Sequence, residues 1–319
     1  MCEEHSPYSP SHQARVKGEL PYRRMDMDTI EQVISVCAPQ GLEEIIPSTM
    51  GEPLIYKHMP RIIDLCHEHG IKLNLTTNGT FPGRGAEKWA KLIVPVGSDV
   101  KLSWNGSNCE SQSLVMINND FYKNMEDLRT FIRIRDEHAD EGGNYCSVTL
   151  QMTFMEMNLE QVPRVVELAI EEGVDRVKGH HLWAHFNEIK DQDMRRSKDS
   201  INRWNEIARE CIEIADNNLL PNGKRIILAN IYELDPEHGG ELHPAATCPF
   251  LGQEAWVNHE GRFDPCCSPD ELRQTLGYFG NVGDEGLLDI WQSSEYQNLL
   301  ENYLEFDVCK QCNMRQLPG

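Results

Sequence analysis

The sequence predicts an α/β protein built on a parallel sheet or barrel covered by helices, with a small cysteine-rich C-terminal extension. Two observations support this interpretation. Short apolar or alternating segments, typical of strands, alternate with amphipathic segments, typical of helices, from residue 42 to residue 215. In addition, five of the 11 cysteines lie after residue 247. With 319 residues and a mass of 36.5 kDa, the chain is long enough for one large α/β domain and a small second domain.

The alternating elements follow one another in a regular order. Asp26 or Asp28 can cap a first helix that ends before Pro39 and Gly41. Strands are predicted over residues 42–47, 71–76, 100–104, 146–154 and 174–178, with a further candidate over 225–232. Helices are predicted over residues 59–69, 87–93, 125–138, 159–172 and 200–215. Because strands and helices alternate, parallel β-α units are favoured over a helical arrangement.

The two ends of the chain lack this alternation. Residues 1–25 are rich in Pro, Ser and charged residues and are predicted to form a loop. Near the C-terminus, a hairpin with good turn chemistry in its middle is predicted over residues 256–263. One amphipathic helix is predicted over residues 287–304. We therefore expect two domains, residues 1–235 and residues 236–319.

Charge and cysteine usage exclude several classes of partner. Lys and Arg total 30 and Asp and Glu total 51, so the net charge of −21 disfavours nucleic acids and anionic membrane surfaces as partners. No run of about 18 apolar residues is present, so no membrane-spanning helix is predicted. The N-terminal residues do not resemble a signal peptide, and many cysteines without one indicate a reducing compartment. We therefore expect a cytoplasmic protein.

Glycine-containing polar segments follow three successive predicted strands. Met50-Gly51-Glu52-Pro53 follows the first, residues 76–80 (Thr-Thr-Asn-Gly-Thr) follow the second, and residues 102–106 (Leu-Ser-Trp-Asn-Gly) end the third. Each segment alone is a common turn sequence. Together they predict one small-molecule site, because ligands of parallel α/β folds bind at the carboxyl ends of the strands. His180, His181 and His185, after the strand at residue 174, could also face a cofactor or a substrate.

The C-terminal cysteines have the spacing of a metal site. Cys309 and Cys312 form a C-x-x-C pair, in which both sulfurs can turn to one centre. Cys248 and one of the adjacent residues Cys266 and Cys267 complete a set of four thiolates. Four thiolates suit either a structural zinc ion or a [4Fe–4S] cluster, and the spacing leaves both open. A set of unrelated buried cysteines is the remaining alternative.

These motifs together resemble the radical S-adenosylmethionine superfamily, and specifically its members with a SPASM or twitch C-terminal extension. Residues 50–53 resemble the GGEP motif, Thr77-Asn78-Gly79 resembles the T-N-G strand end, and residues 103–106 resemble an S-x-D-G motif with Asn105 in place of Asp. The cysteines resemble those of the extension, together with intervening matches at Gly261, residues 280–282 and residues 288–291.

The resemblance implies a partial (β/α)6 TIM-like barrel that carries S-adenosylmethionine and a radical [4Fe–4S] cluster. It implies an enzyme that abstracts hydrogen from a peptide or small-molecule substrate, with flavodoxin or ferredoxin as an electron donor. It also favours one auxiliary [4Fe–4S] cluster over zinc, with a role in electron transfer or structure. The implied contacts to the cofactor are Gly51, Glu52, Pro53, Thr77, Asn78, Ser103, Asn105 and Gln151. The implied cluster ligands are Cys248, Cys266 (or Cys267), Cys309 and Cys312.

One departure concerns the radical cluster, which needs three cysteines in a C-x3-C-x2-C motif after the first strand. The sequence offers only Cys2 before Cys37. On one hypothesis the chain is truncated, its first strand is missing, and Cys2 is the last of the three ligands. The competing hypothesis is a degenerate member. Its function would then come from another class: a catalytically incompetent scaffold or binding protein with a structural four-cysteine metal site.

Overall fold

The computed structural model describes residues 6–47, 51–117, 119–184, 186–237, 245–268, 270–312 and 314–315. The chain forms two compact units, one over residues 43–240 and one that combines residues 3–42 with residues 241–319. The second unit therefore includes an N-terminal segment, with helices α1 (Pro10–Val16) and α2 (Met27–Cys37). The proposed division at residue 235 into two continuous domains stays a prediction.

The larger unit is built on a six-stranded sheet whose strands are all parallel and lie in sequence order. The strands are β1 (Glu44–Ile45), β2 (Lys72–Thr77), β3 (Gly97–Ser103), β4 (Ser147–Phe154), β5 (Arg176–His181) and β6 (Ile227–Ala229). The helices between them are α3 (Met59–His69), α4 (Ala86–Ile93), α5 (Cys109–Val115), α6 (Phe121–Asp140), α7 (Val162–Glu171) and α8 (Lys198–Asn217). Strands in sequence order with intervening helices are the arrangement of a β/α barrel, and the predicted fold class is confirmed.

The two faces of this sheet differ in polarity. Leu75, Leu102, Leu150 and Val177 are buried on the face that the helices cover. The alternate positions of the same strands carry polar side chains, so the strands have an alternating pattern. A parallel sheet covered on both faces by apolar groups would instead have continuous apolar strands. We call the polar side the inner face, and it provides the surface on which a site can be built.

The smaller unit has its own apolar core. Its hairpin joins β7 (Trp256–Val257) to β8 (Phe263–Asp264), as predicted, and Val33 of α2 packs on the core. Its helices are α9 (Asp270–Arg273), α10 (Leu287–Gln292), α11 (Ser294–Asn302) and α12 (Asp307–Lys310). The buried core residues are Phe263, Leu276, Phe279, Val282, Ile290, Tyr296, Leu299 and Cys309.

Two local predictions are wrong for identifiable reasons. The predicted N-terminal loop contains α1, because Ser9 accepts a hydrogen bond from the His12 N–H as an N-cap and Pro10 occupies the first helical position. The single helix expected over residues 287–304 is divided, because Ser293 is extended and caps α11 through the Tyr296 N–H. None of the described helices is both long and apolar enough to cross a membrane.

Candidate functional site

The amino-end half of the inner face is a closed polar network. Asp99 Oδ1 accepts a hydrogen bond from Thr149 Oγ1 at 2.8 Å, and its Oδ2 lies 3.2 Å from an Arg176 nitrogen and 3.3 Å from Lys101 Nζ. Lys101 also donates to the Asn74 side chain. These groups neutralise one another's charge and hydrogen-bonding capacity. We call this set the amino-end network: Glu44, Asn74, Asp99, Lys101, Thr149 and Arg176.

The carboxyl-end half of the same face is different. Ser103 is opposite Gln151, and Thr153 is opposite His180, in the strand register. All four are half-buried. Within the described residues, the side chains of Ser103, Gln151 and Thr153 make no hydrogen bond to protein, and none of their polar atoms is sealed from solvent. We call these four residues the carboxyl-end lining. They leave donors and acceptors available to a ligand.

Glu52 connects the ends of the first two strands. Its carboxylate accepts hydrogen bonds from Thr77 Oγ1 at 2.8 Å, from the Asn78 N–H at 2.7 Å and from the Leu54 N–H at 3.1 Å. Burial raises the pKa of the Glu52 carboxyl, and these three donors oppose that rise. Gly51 has φ +144°, a conformation that a side chain would strain. The three motif residues Glu52, Thr77 and Asn78 are therefore brought together, and a carboxylate is fixed at the edge of the sheet.

Asn105 holds the ends of β3 and β4 together. It is 4% exposed, and its Oδ1 accepts a hydrogen bond from the Thr153 N–H at 2.9 Å. Its own N–H donates to Gln112 Oε1 at 2.8 Å. A Cβ at Gly106 would lie 2.4 Å from the Gln112 nitrogen, so only glycine lets α5 approach this closely. The Asn105 amide oxygen is thus engaged with backbone, while its predicted contact to a cofactor stays a prediction.

Sequence reasoning missed part of this lining. Thr153 and Asn230 were not identified as site residues, although Asn230 lies 3.3 Å from a His180 nitrogen. The signal for Thr153 was present: Thr149, Gln151 and Thr153 alternate with buried apolar residues along β4. His181, on the opposite side of β5, packs against Phe154 and Trp204 instead. Three predicted participants, Cys2, Met50 and His185, lie outside the described residues.

In the smaller unit, the four predicted cysteines lie close enough to affect one another's pKa. Burial raises the pKa of the Cys309 thiol to about 12, and Cys266, Cys248 and Cys312 add to the rise. The Cys312 pKa is likewise raised by burial, with a contribution from Cys248. The Leu251 N–H also points to Cys248 Sγ at 3.5 Å. The donor set suits a bound iron–sulfur cluster, which keeps its cysteines deprotonated and accepts hydrogen bonds at sulfur.

The adjacent cysteines differ in their surroundings. The pKa of Cys266 is raised to about 11 by burial first, and then by Cys312 and Cys248. The pKa of Cys267 is raised to about 12 by burial first, and then by Cys266 and Cys312, and Cys248 is not among the leading causes. Cys266 is therefore the better placed member of the pair to join the other three thiols.

Comparisons with known proteins agree with this geometry. Residues 248–313 match SPASM, an iron–sulfur cluster-binding domain. The chain shares its fold with solved proteins, one of which was solved with bound AdoMet. The chain carries a SPASM domain at residues 248–313. The resemblance predicted from the motifs is thereby confirmed, and an iron–sulfur domain replaces the open choice between zinc and a cluster.

Three similar proteins illustrate what the chain resembles. The tungsten-containing aldehyde ferredoxin oxidoreductase cofactor-modifying protein of Pyrococcus furiosus is 24% identical over 285 residues, which cover 83% of this chain and 72% of that protein. Streptococcus suis SuiB bound to its precursor peptide SuiA gives a TM-score of 0.60 at 14% identity, covering 93% of this chain. Native anSMEcpe with bound AdoMet gives 0.61 at 14% identity, covering 97% of this chain and 85% of that one. The chain spans between 61% and 65% of the SuiB chain in its structures.

Proposed function

We propose that this protein is a radical S-adenosylmethionine enzyme that acts on a peptide or small-molecule substrate. The observation that carries the proposal is the carboxyl-end lining, whose available polar groups lie on a sheet that also anchors the Glu52 carboxylate. The SPASM domain and the shared fold add support. Flavodoxin or ferredoxin as the electron donor, and a cytoplasmic location, belong to the same proposal.

The chain's own residues would bind and orient the cofactor. The Glu52 carboxylate, held by three donors, offers a negative charge to the cationic amine of S-adenosylmethionine. Ser103 and Gln151 offer a hydroxyl and an amide to the polar groups of its ribose or carboxylate. The backbone around Glu52 is formed by its neighbours Gly51 and Pro53 and by the strand end at Thr77 and Asn78. Asn105 keeps the β3 and β4 ends in register.

When bound, S-adenosylmethionine and a reduced [4Fe–4S] cluster would supply the radical chemistry that removes hydrogen from the substrate. The described residues contain no three-cysteine group for that radical cluster, and Cys2 lies outside them. In the SPASM domain, Cys248, Cys266, Cys309 and Cys312 would hold an auxiliary cluster that transfers electrons or stabilises the unit.

The experiment that tests the proposal measures cofactor binding and cleavage under anaerobic conditions. We expect S-adenosylmethionine to bind in calorimetry and deoxyadenosine to be released after reduction of the reconstituted full reading frame. Glu52→Gln removes the anionic charge but keeps an acceptor, and we expect about tenfold weaker binding or more. Glu213→Gln, on the exposed side of α8, is the matched control and should bind like the wild type.

The auxiliary cluster is tested by a pair of neighbouring substitutions. Cys266→Ser should lower the iron and sulfide content and the visible absorbance of the SPASM domain, whereas Cys267→Ser should leave them unchanged. Cys146→Ser, in the core of the other unit, controls for the loss of a buried thiol. Equal loss in the two variants of the adjacent pair would contradict the assignment of Cys266.

A second candidate function rests on the sequence of residues 1–319, which contains no C-x3-C-x2-C motif. A catalytically incompetent scaffold with a structural four-cysteine metal site would bind one metal centre and release no deoxyadenosine. The enzyme would instead contain about eight irons, as two [4Fe–4S] clusters. Reading the genomic frame upstream of Met1 separates the two candidates further, since an in-frame Cys-x3-Cys whose second cysteine is separated from Cys2 by two residues supports the enzyme.

A further inference from the structure

A buried arginine joins the two ends of the cysteine-rich domain. Arg315 is 9% exposed. Its Nε donates a hydrogen bond to the Ala246 carbonyl at 2.8 Å, and its Nη1 donates to the Lys310 carbonyl at 3.3 Å. Ala246 lies two residues before Cys248, and Lys310 lies inside the C-x-x-C pair. One guanidinium is therefore held against two of the segments that carry the proposed cluster ligands.

The charge of this guanidinium acts on the thiols of the C-x-x-C pair. Burial raises the pKa of the Cys309 thiol to about 12, and the positive charge of Arg315 opposes that rise. Burial also raises the pKa of Cys312, and Arg315 again acts in the opposite direction. A positive charge that favours a thiolate also favours other negative charge placed among the same side chains. Arg315 is thus close enough to act on a group that these cysteines bind.

The Cys248 segment has anchors other than Arg315. The Cys248 N–H donates to Tyr303 Oη at 3.4 Å, and the Gly252 N–H donates to Tyr296 Oη at 3.0 Å. Tyr296 belongs to the buried core of the smaller unit. Because these contacts also hold the segment, a role in fixing its backbone does not by itself account for a buried charge at Arg315.

The electrostatics of an iron–sulfur cluster supply a role for such a charge. A cluster bound by four thiolates is anionic, and it becomes more negative when it takes up an electron. A fixed positive charge therefore stabilises the reduced form more than the oxidised form. Burial strengthens this effect, because solvent and salt screen a buried charge less than an exposed one. The net charge around a cluster is one of the factors that set its reduction potential.

We propose that Arg315, held between the Ala246 and Lys310 carbonyls, raises the reduction potential of the auxiliary cluster. This inference rests on the proposed function and deepens it, because it gives the auxiliary cluster a role in electron transfer. The reaction is a one-electron reduction of the cluster by the flavodoxin or ferredoxin donor of that proposal, and no covalent bond forms or breaks. Arg315 makes the cluster easier for this donor to reduce.

The test is a redox titration of the anaerobically reconstituted chain, followed by electron paramagnetic resonance. The signal that disappears in Cys309→Ser identifies the auxiliary cluster. Arg315→Met keeps a long apolar side chain and removes the charge. We expect the ratio of reduced to oxidised cluster at a fixed potential to fall about tenfold, which corresponds to about 59 mV for a one-electron couple. An unchanged ratio would overturn the inference.

Two further variants separate the charge of Arg315 from its hydrogen bonds. Arg315→Lys keeps the charge but loses the planar set of donors, so the ratio should stay within about twofold of the wild type. If Arg315→Met takes up no cluster, Arg315→Lys still decides, because a tenfold fall despite the retained charge would overturn the inference. Lys310→Met removes a charge next to Cys309 from a side chain that is 53% exposed. This control should leave the ratio unchanged, because solvent screens an exposed charge.

Iron and sulfide analysis of the wild-type chain separates this inference from the proposed function. A wild-type chain that binds no iron–sulfur cluster would overturn the proposed auxiliary cluster and this inference together. A bound cluster whose potential is the same in the wild type and in Arg315→Met would overturn the inference alone. A lower potential in Arg315→Met at the iron content of the wild type would support both.

Discussion

The two halves of the inner face have the same strands and the same alternation, but they satisfy their polar groups in opposite ways. In the amino-end network, Asp99 has three partners, at 2.8, 3.2 and 3.3 Å. In the carboxyl-end lining, Ser103, Gln151 and Thr153 make no side-chain hydrogen bond within the described residues. Polar groups that satisfy one another serve the fold, whereas polar groups left available serve a ligand. The position along the strand therefore indicates which substitutions affect stability and which affect binding.

The largest expected effect is on the amino-end network. Asp99→Ala removes a carboxylate that is 7% exposed and leaves Lys101 and Arg176 without their counter-charge, so we expect about 3 kcal/mol less stability. Urea unfolding of the full chain measures it. Gln151→Ala is the matched change in the other half and should cost about 0.5 kcal/mol or less. Equal losses in the two variants would remove the distinction between the halves.

The next effect concerns the residue that joins β3 to β4. Asn105→Ala leaves the Thr153 N–H without its acceptor in a buried position, so we expect a loss of about 2 kcal/mol of stability. Because Ser103 and Thr153 then lose their relative placement, S-adenosylmethionine affinity should fall as well. Unfolding and calorimetry on the same preparation measure both. A loss of affinity without any loss of stability would assign Asn105 to direct ligand contact instead.

A smaller effect is expected on the pH dependence of stability. The pKa of His180 is about 4 in the folded chain, below the value of about 6.5 for an unfolded histidine. Between these values the unfolded state binds more protons, so the stability contributed by the neutral ring is full above pH 6.5 and is lost as pH falls. His180→Gln should reduce the slope between pH 6.5 and pH 5 by up to about 1 kcal/mol per pH unit. An unchanged slope would place His180 in contact with water.

The smallest expected effect is a weaker affinity for the cofactor when one side chain of the carboxyl-end lining is removed. Gln151→Ala removes one amide that offers hydrogen bonds at the level of Ser103, and we expect about fivefold weaker binding of S-adenosylmethionine. Calorimetry gives the affinity, and Thr130→Ala, at a half-buried position of α6, controls for a general effect of truncation. Unchanged affinity would show that the lining at this level does not contact the cofactor.

Much of the fold can be predicted from the spacing of apolar residues along the sequence. The strand and helix periods identify all six parallel strands, and the Gly51-Glu52 and Thr77-Asn78 segments mark the strand ends that meet. Asn230 could not be identified, because Asn is common in turns and nothing in the sequence specifies that its left-handed backbone brings its side chain to His180. The engagement of Asn105 with Thr153 was also hidden, since it depends on a contact between residues 48 positions apart.

The closed amino-end network also has a consequence for how such a protein can change. Because Asp99 and its partners complete one another without a ligand, the sheet does not depend on a particular substrate for its assembly. Residues at the carboxyl edge can therefore be exchanged with little penalty to folding. Mutations at the carboxyl edge can therefore change which ligand the protein binds, while the amino-end network stays the same.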